Sequence, residues 1–134
     1  MSWDIFVQDL PVGAMTIDDI PTDFVPQSLG PRSTIIAKIL EVVPSADFSD
    51  PAWGQIEAET WSIEVNLGAN DTCDSFAFHV RGGDEAAGVV AAILEHLSLR
   101  ALDPGAEGGL FSAGPEALES FRRWREYRNH VAGT

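Results

Sequence analysis

The sequence predicts an α+β domain, a mainly antiparallel sheet of about five strands with helices packed on one face, in the order β-α-β-β-β-α-β-α. Three observations predict it. Residues 61–67 and 75–81 alternate apolar and polar side chains and are separated by turn residues, the mark of an antiparallel hairpin covered on one face and wet on the other. Residues 35–43 and 86–97 repeat apolar side chains at the three-and-four spacing of a helix with one buried stripe. The strands come in a run rather than alternating one by one with helices, which separates this pattern from a parallel α/β sheet. A mixed sheet, with the first and fifth strands parallel to a neighbour, is the alternative arrangement.

The elements follow in order. Trp3 to Leu10 is a strand with Trp3, Ile5 and Val7 on one face and Asp4, Phe6 and Gln8 on the other; Pro11 and Gly13 end it. Residues 14–31 are a proline- and aspartate-rich loop with one helical turn near Ile17–Ile20. Pro31 suits a first helical turn, and Ile35, Ile36, Ile39, Leu40 and Val43 form the stripe of that helix, which Pro44 stops. Residues 45–54 are a turn-rich connection in which Phe48 and Trp53 are expected to plug the core edge. Gln55 to Ala58 is a weak strand. Trp61 to Leu67 faces Ile63, Val65 and Leu67 inward, with Ser62, Glu64 and Asn66 outward. Ser75 to Arg81 faces Phe76, Phe78 and Val80 inward, with Ala77, His79 and Arg81 outward. Gly68 to Thr72 joins the two as a turn. Gly82-Gly83 breaks the strand, and Asp84 is placed to cap a helix carrying Ala86, Val89, Val90, Ile93, Leu94 and Leu97. Ser98 to Leu102 is a short fifth strand, and 103–114 a glycine-rich loop. Pro115 opens a last helix whose inner side holds Leu118, Phe121 and either Trp124 or Arg125.

The whole, residues 1–134, is expected to be a single globular domain. At 134 residues with 45% apolar and 22% charged side chains it should bury roughly two-thirds of its unfolded surface, enough for a core without metal or disulfide staples. Its one cysteine, Cys73, permits no intrachain disulfide and fits a reducing cytoplasm. The opening Met1-Ser2-Trp3-Asp4 has no basic region followed by an apolar run, so no secretory signal is expected. The apolar stretch from Ala86 to Leu97 is too short for a bilayer.

Eight basic residues stand against 21 acidic ones, a formal charge of −13. That argues against nucleic-acid and anionic-membrane partners, which need basic surface to displace counterions. Four of the eight basic residues fall within 122–128, behind Glu116 and Glu119, an order that complements a helix dipole. The same stretch, with Phe121, Trp124, Arg125 and Arg128, is a candidate interface for a partner or for a second copy of the chain, since Trp and Arg dominate binding hot spots.

Candidate chemistry concentrates on the outward face of the hairpin. Glu64 and Asn66 on one strand fall beside His79 and Arg81 on the next, with Gln55, Glu57, Asp4 and Gln8 able to extend the patch. A carboxylate can orient a histidine ring for proton transfer, and an arginine can hold an anionic group by paired hydrogen bonds. The same residues also describe an ordinary wet sheet face with cross-strand charge pairs. The histidines His79, His96 and His130 lie far apart, and no metal or cofactor is expected. Arg81-Gly82-Gly83-Asp84 lacks the glycine spacing of a phosphate loop, and Asp84 opposes an anion there. Cys73 sits among aspartates that disfavour a thiolate, and no serine nucleophile elbow occurs.

The segments Trp3-Asp4-Ile5-Phe6-Val7-Gln8-Asp9-Leu10-Pro11, Trp61-Ser62-Ile63-Glu64-Val65-Asn66, His79-Val80-Arg81-Gly82-Gly83 and Ala101-Leu102-Asp103-Pro104 resemble those of a family of small uncharacterised bacterial proteins, over most of the chain. The resemblance implies a bacterial cytoplasmic origin and brings no activity. Two functions are therefore expected to compete. The first is a non-catalytic interaction domain whose acidic surface meets a basic protein, as an immunity protein meets a toxin. The second is a small enzyme or ligand-binding domain with His79 as acid or base, Glu64 as its orienter, Arg81 as anion holder and Asn66 as polar anchor. A homodimer through the last helix is compatible with both.

Overall fold

The computed structural model of the chain describes residues 2–106, 108–111, 122, 123 and 126. Strand β1 spans Trp3–Gln8, β2 Gly30–Pro31, β3 Trp53–Glu57, β4 Trp61–Asn66, β5 Thr72–Cys73, β6 Ser75–Gly82 and β7 Ala101–Leu102; helix α1 spans Arg32–Val42 and α2 Glu85–Leu97. The fold is α+β, and its elements follow the expected order. Of the last helix, only Arg122, Arg123 and Glu126 are described, all three helical and exposed. Five strands form one sheet in the order β3-β4-β6-β1-β7, each antiparallel to its neighbours.

The mixed-sheet alternative is thereby overturned. Strand β1 enters between β6 and β7 and runs antiparallel to both. The register explains its place: Trp3, Ile5 and Val7 lie opposite Val80, Phe78 and Phe76, so three apolar pairs face the same way. Strands β6 and β7 are thus parallel to each other, but β1 stands between them and α2 carries the chain across.

All of these inward side chains are buried, as are Ile56, Ile63 and Val65 from β3 and β4. Helix α2 covers β4 and β6 with Val90, Ile93, Leu94 and Leu97, and α1 packs on α2 while burying Ile35 and Ile39. Each such side chain, fully buried, contributes about 1.5–3 kcal/mol relative to exposure. Phe48 packs at the core edge as expected, and its ring lies 2.2 Å from where a Cβ on Gly54 would stand, so a larger residue at 54 would push the ring aside. Trp53 does not plug the core. Strand β3 starts two residues earlier than its weak alternation suggested, and that register turns Trp53 to the outer face.

Two connections carry more structure than their composition showed. The expected turn at 68–72 runs into β5, which pairs with β2 just ahead of α1. Arg32 reinforces the join, its backbone N–H donating to the Asp71 carbonyl and its guanidinium to the Gly68 carbonyl at 2.8 Å each. The glycine-rich loop after β7 is held by Asp103, a charged side chain only 1% exposed. One Asp103 oxygen accepts hydrogen bonds from the Trp3 indole N–H at 3.1 Å and from the Gly105 N–H at 3.0 Å. The loop returns through a bridge between Leu102 and Leu110, and its Gly108 carbonyl accepts the Ile17 N–H.

Replacing Asp103 by Ala removes the acceptor shared by a buried indole and a backbone amide, and should cost about 1–3 kcal/mol in urea unfolding. Asp103→Asn keeps one carbonyl oxygen and should cost less.

Candidate functional site

The outer face of the sheet is ordered in rows by the register. Gln55, Glu64, His79 and Asp4 lie opposite one another across β3, β4, β6 and β1. Glu57, Ser62 and Arg81 form the row on one side, and Trp53, Asn66, Ala77, Phe6 and Leu102 the row on the other. Alternation in the strands therefore assembles Glu64, His79 and Arg81 next to one another, with Asn66 one row away. The faces of β6 are as its sequence requires: Phe76, Phe78 and Val80 are sealed inside, and His79 looks outward, 20% exposed in its side chain.

The pairing within the patch differs from the expected roles. The carboxylate that holds His79 is Asp4, not Glu64: Nδ1 lies 2.8 Å from Asp4 Oδ1. Ser2 donates its hydroxyl to the same carboxylate oxygen. Glu64 instead accepts from Arg81 Nη1 at 2.6 Å. That bond uses one nitrogen of a partly exposed guanidinium, so an outside anion would meet Arg81 against the charge of Glu64 and of the Asp4 and Glu57 carboxylates on the same face. Asn66 lines a separate depression of about 510 Å³ with Phe6, Gln8, Ser75, Ala77 and Leu102.

Two aromatic side chains complete the face. The Trp53 indole stacks on the His79 imidazole, centroids 5.6 Å apart and planes 20° from parallel. Phe6 is 40% exposed beside buried Ala77. The alternation of β1 already put Phe6 outward, whereas Trp53 became part of the patch only through the register of β3. An imidazole that donates Nδ1–H to a carboxylate keeps Nε2 as an acceptor, so the Asp4–His79 pair can exchange a proton at that atom.

The other motifs are placed by the backbone and by contacts within the fold. Gly82 has φ +100°, and a Cβ there would stand 2.3 Å from the Thr60 carbonyl oxygen, to which Gly83 donates its N–H. The glycine pair lets the chain pass the β3–β4 turn on its way into α2. Asp84 precedes that helix but makes no side-chain cap; its carboxylate bonds the Arg122 guanidinium at 3.1 Å instead. His96 meets Glu41 at 2.7 Å, joining α2 to α1. Among the described residues no three His, Cys, Asp or Glu side chains gather as a metal site. Burial pushes the Cys73 thiol up, with Asp74 adding to it against the opposing Ser75 carbonyl contact and Arg32 charge. The candidate interface residues Phe121, Trp124, Arg125 and Arg128, and His130, lie outside the described residues. No described helix is long and apolar enough to cross a membrane.

No family model, curated protein or solved structure matches the chain. The face described above therefore has to be read on its own chemistry.

Two measurements follow from that chemistry. Glu64→Gln should cost less than about 1 kcal/mol in urea unfolding, because the pair it breaks is partly exposed. Cys73 should react with iodoacetamide at pH 8 at least about tenfold more slowly in the native chain than in urea, since both burial and scarcity of thiolate protect it.

Proposed function

We propose that this chain is a non-catalytic protein-interaction domain of the bacterial cytoplasm whose acidic surface recognises a basic protein partner, in the manner of an immunity protein that neutralises a toxin. The observation that carries this reading is the surplus of unpaired carboxylate. Asp18, Asp19, Asp23, Asp50, Glu57, Glu59, Asp71 and Asp74 are all exposed, and none forms an ion pair among the described residues. On a chain of net charge −13 they create a field that attracts a basic surface and accelerates its encounter. The outer-face charges support the same reading from the other side. His79 is bonded to Asp4 and Arg81 to Glu64, so these side chains satisfy one another and leave the surplus charge to the carboxylates above. The fold alone brings no function with it.

A second reading keeps the Asp4–His79 pair as a ligand-binding or proton-transferring centre, favoured by the indole stacked on the imidazole. Self-association through the segment holding Phe121, Trp124, Arg125 and Arg128 is compatible with either.

The test uses the full chain as bait at low salt, with the captured protein identified, purified and returned to it. The expected partner is basic, its Kd weakens steeply between about 0.05 and 0.5 M salt as screening shortens the reach of charge, and His79→Ala leaves the affinity unchanged. Failure to capture a basic protein, or binding indifferent to salt, overturns the reading. Loss of binding in both His79→Ala and Asp4→Asn transfers it to the outer-face pair.

A further inference from the structure

Resting on the interaction reading above, we infer that residues 9–25 form the docking face, and that what docks there is a basic protein segment bearing apolar side chains. The chain from Met1 to Pro31 contains five aspartates and no basic residue. Four of the five, Asp9, Asp18, Asp19 and Asp23, lie in this stretch. Between them stand apolar side chains left in water: Val12 is 104% exposed, Met15 82%, Ile17 50% and Val25 79%. Val12 and Met15 border a depression of about 520 Å³ that also includes Asp9, Leu10 and Leu99. Single exposed apolar residues are ordinary, but several on one short segment, rimmed by like charge, mark a contact surface.

The segment is held in place rather than loosely tethered. Arg100 donates its guanidinium to the carbonyls of Pro11 and Ala14, at 3.1 Å to the former. Asp19 accepts the backbone N–H groups of Met15 and Thr16 at 2.8 and 3.1 Å, which also hold its carboxyl below the usual range. The Ile17 N–H bonds the Gly108 carbonyl, and the Gln27 N–H bonds Asp9. These contacts fix the backbone while leaving Val12 and Met15 outward, so little order remains to be created when a partner arrives. Arg100 spends its hydrogen bonds on carbonyls and forms no ion pair with the aspartates. An anionic membrane would be repelled by the same aspartates, so the apolar side chains favour a protein whose contact surface joins basic and apolar groups.

The test titrates the full ¹⁵N-labelled chain with two synthetic peptides of equal length and charge, one alternating lysine with leucine and one alternating lysine with serine. The lysine–leucine peptide should bind about tenfold more tightly, as expected when one or two apolar side chains become buried. Its shifts should centre on residues 9–25, and its affinity should fall with salt. Val12→Ser with Met15→Ser should bring the two peptides level. Asp18→Asn with Asp23→Asn should weaken both strongly, and Glu57→Gln with Glu59→Gln, which removes only a share of the general field, should weaken both far less. Binding that survives the loop variants and is lost in the Glu57 and Glu59 variant overturns this surface while the basic-partner reading stands. Equal affinities for the two peptides, or no binding of either, also overturn it; the wider reading then falls only if the capture experiment fails as well. A dimer in light scattering that dissociates in the Asp18 and Asp23 variant overturns it in favour of the chain's own arginines as occupant.

Discussion

The central position of β6 is the constraint on which the rest of the structure depends. Its neighbours β4 and β1 use its hydrogen-bonding edges on both sides, and its period of two leaves each residue one of two faces. Phe76, Phe78 and Val80 meet the inner residues of those neighbours and the helix above them, and each is at most 4% exposed. A slip of one residue would send His79 and Arg81 into the core without their carboxylates and turn two phenylalanines into water. The loss of fully buried Phe78 alone is of the order that threatens a small domain, about 3–5 kcal/mol for truncation to alanine. The inner face thus dictates the outer one.

What the outer face acquires from this is a set of charges in strict register. The row through Glu64, His79 and Asp4 allowed two carboxylates to compete for one imidazole. Asp4 took it, and Glu64 turned to Arg81 in the adjacent row. Both pairs are partly exposed, where such contacts are worth little in stability. Their effect is to satisfy one another locally, so the net negative charge of the molecule is expressed mainly around them, on the loops at 9–25 and 47–50, at Glu57 and Glu59 by the β3–β4 turn, and at Asp71 and Asp74 on either side of β5.

Those loops are firmly built. Asp103 beneath Trp3 holds the segment whose Gly108 carbonyl accepts from Ile17, and Arg100 at the entry to β7 donates to two carbonyls of the loop after β1. Asp47 bonds the Ser49 hydroxyl and amide, which lower its carboxyl's pKa, while its backbone pairs with Gln55 along the outer edge of β3. The acidic surface is therefore presented by backbone fixed from inside the fold.

By itself the sequence determined the inner and outer faces of β1, β4 and β6, the stripe of α2 and the Ile35–Ile39 centre of the α1 stripe (Leu40 is not among the core side chains and Val43 lies past the helix end), the α+β class and the excess of negative charge. These depend on properties local to a segment: side-chain alternation, helical spacing, and the glycines and prolines that punctuate them. Within the candidate site, Glu64, His79 and Arg81 could be placed together because one hairpin contains all three. Only the tertiary structure decided that β1 lies between β6 and β7, that Asp4 rather than Glu64 holds His79, that Trp53 covers that ring, and that a buried Asp103 ties the last loop to Trp3. Each of these joins residues far apart in the chain, and no local pattern specifies which of several chemically suitable partners the packing will bring within reach.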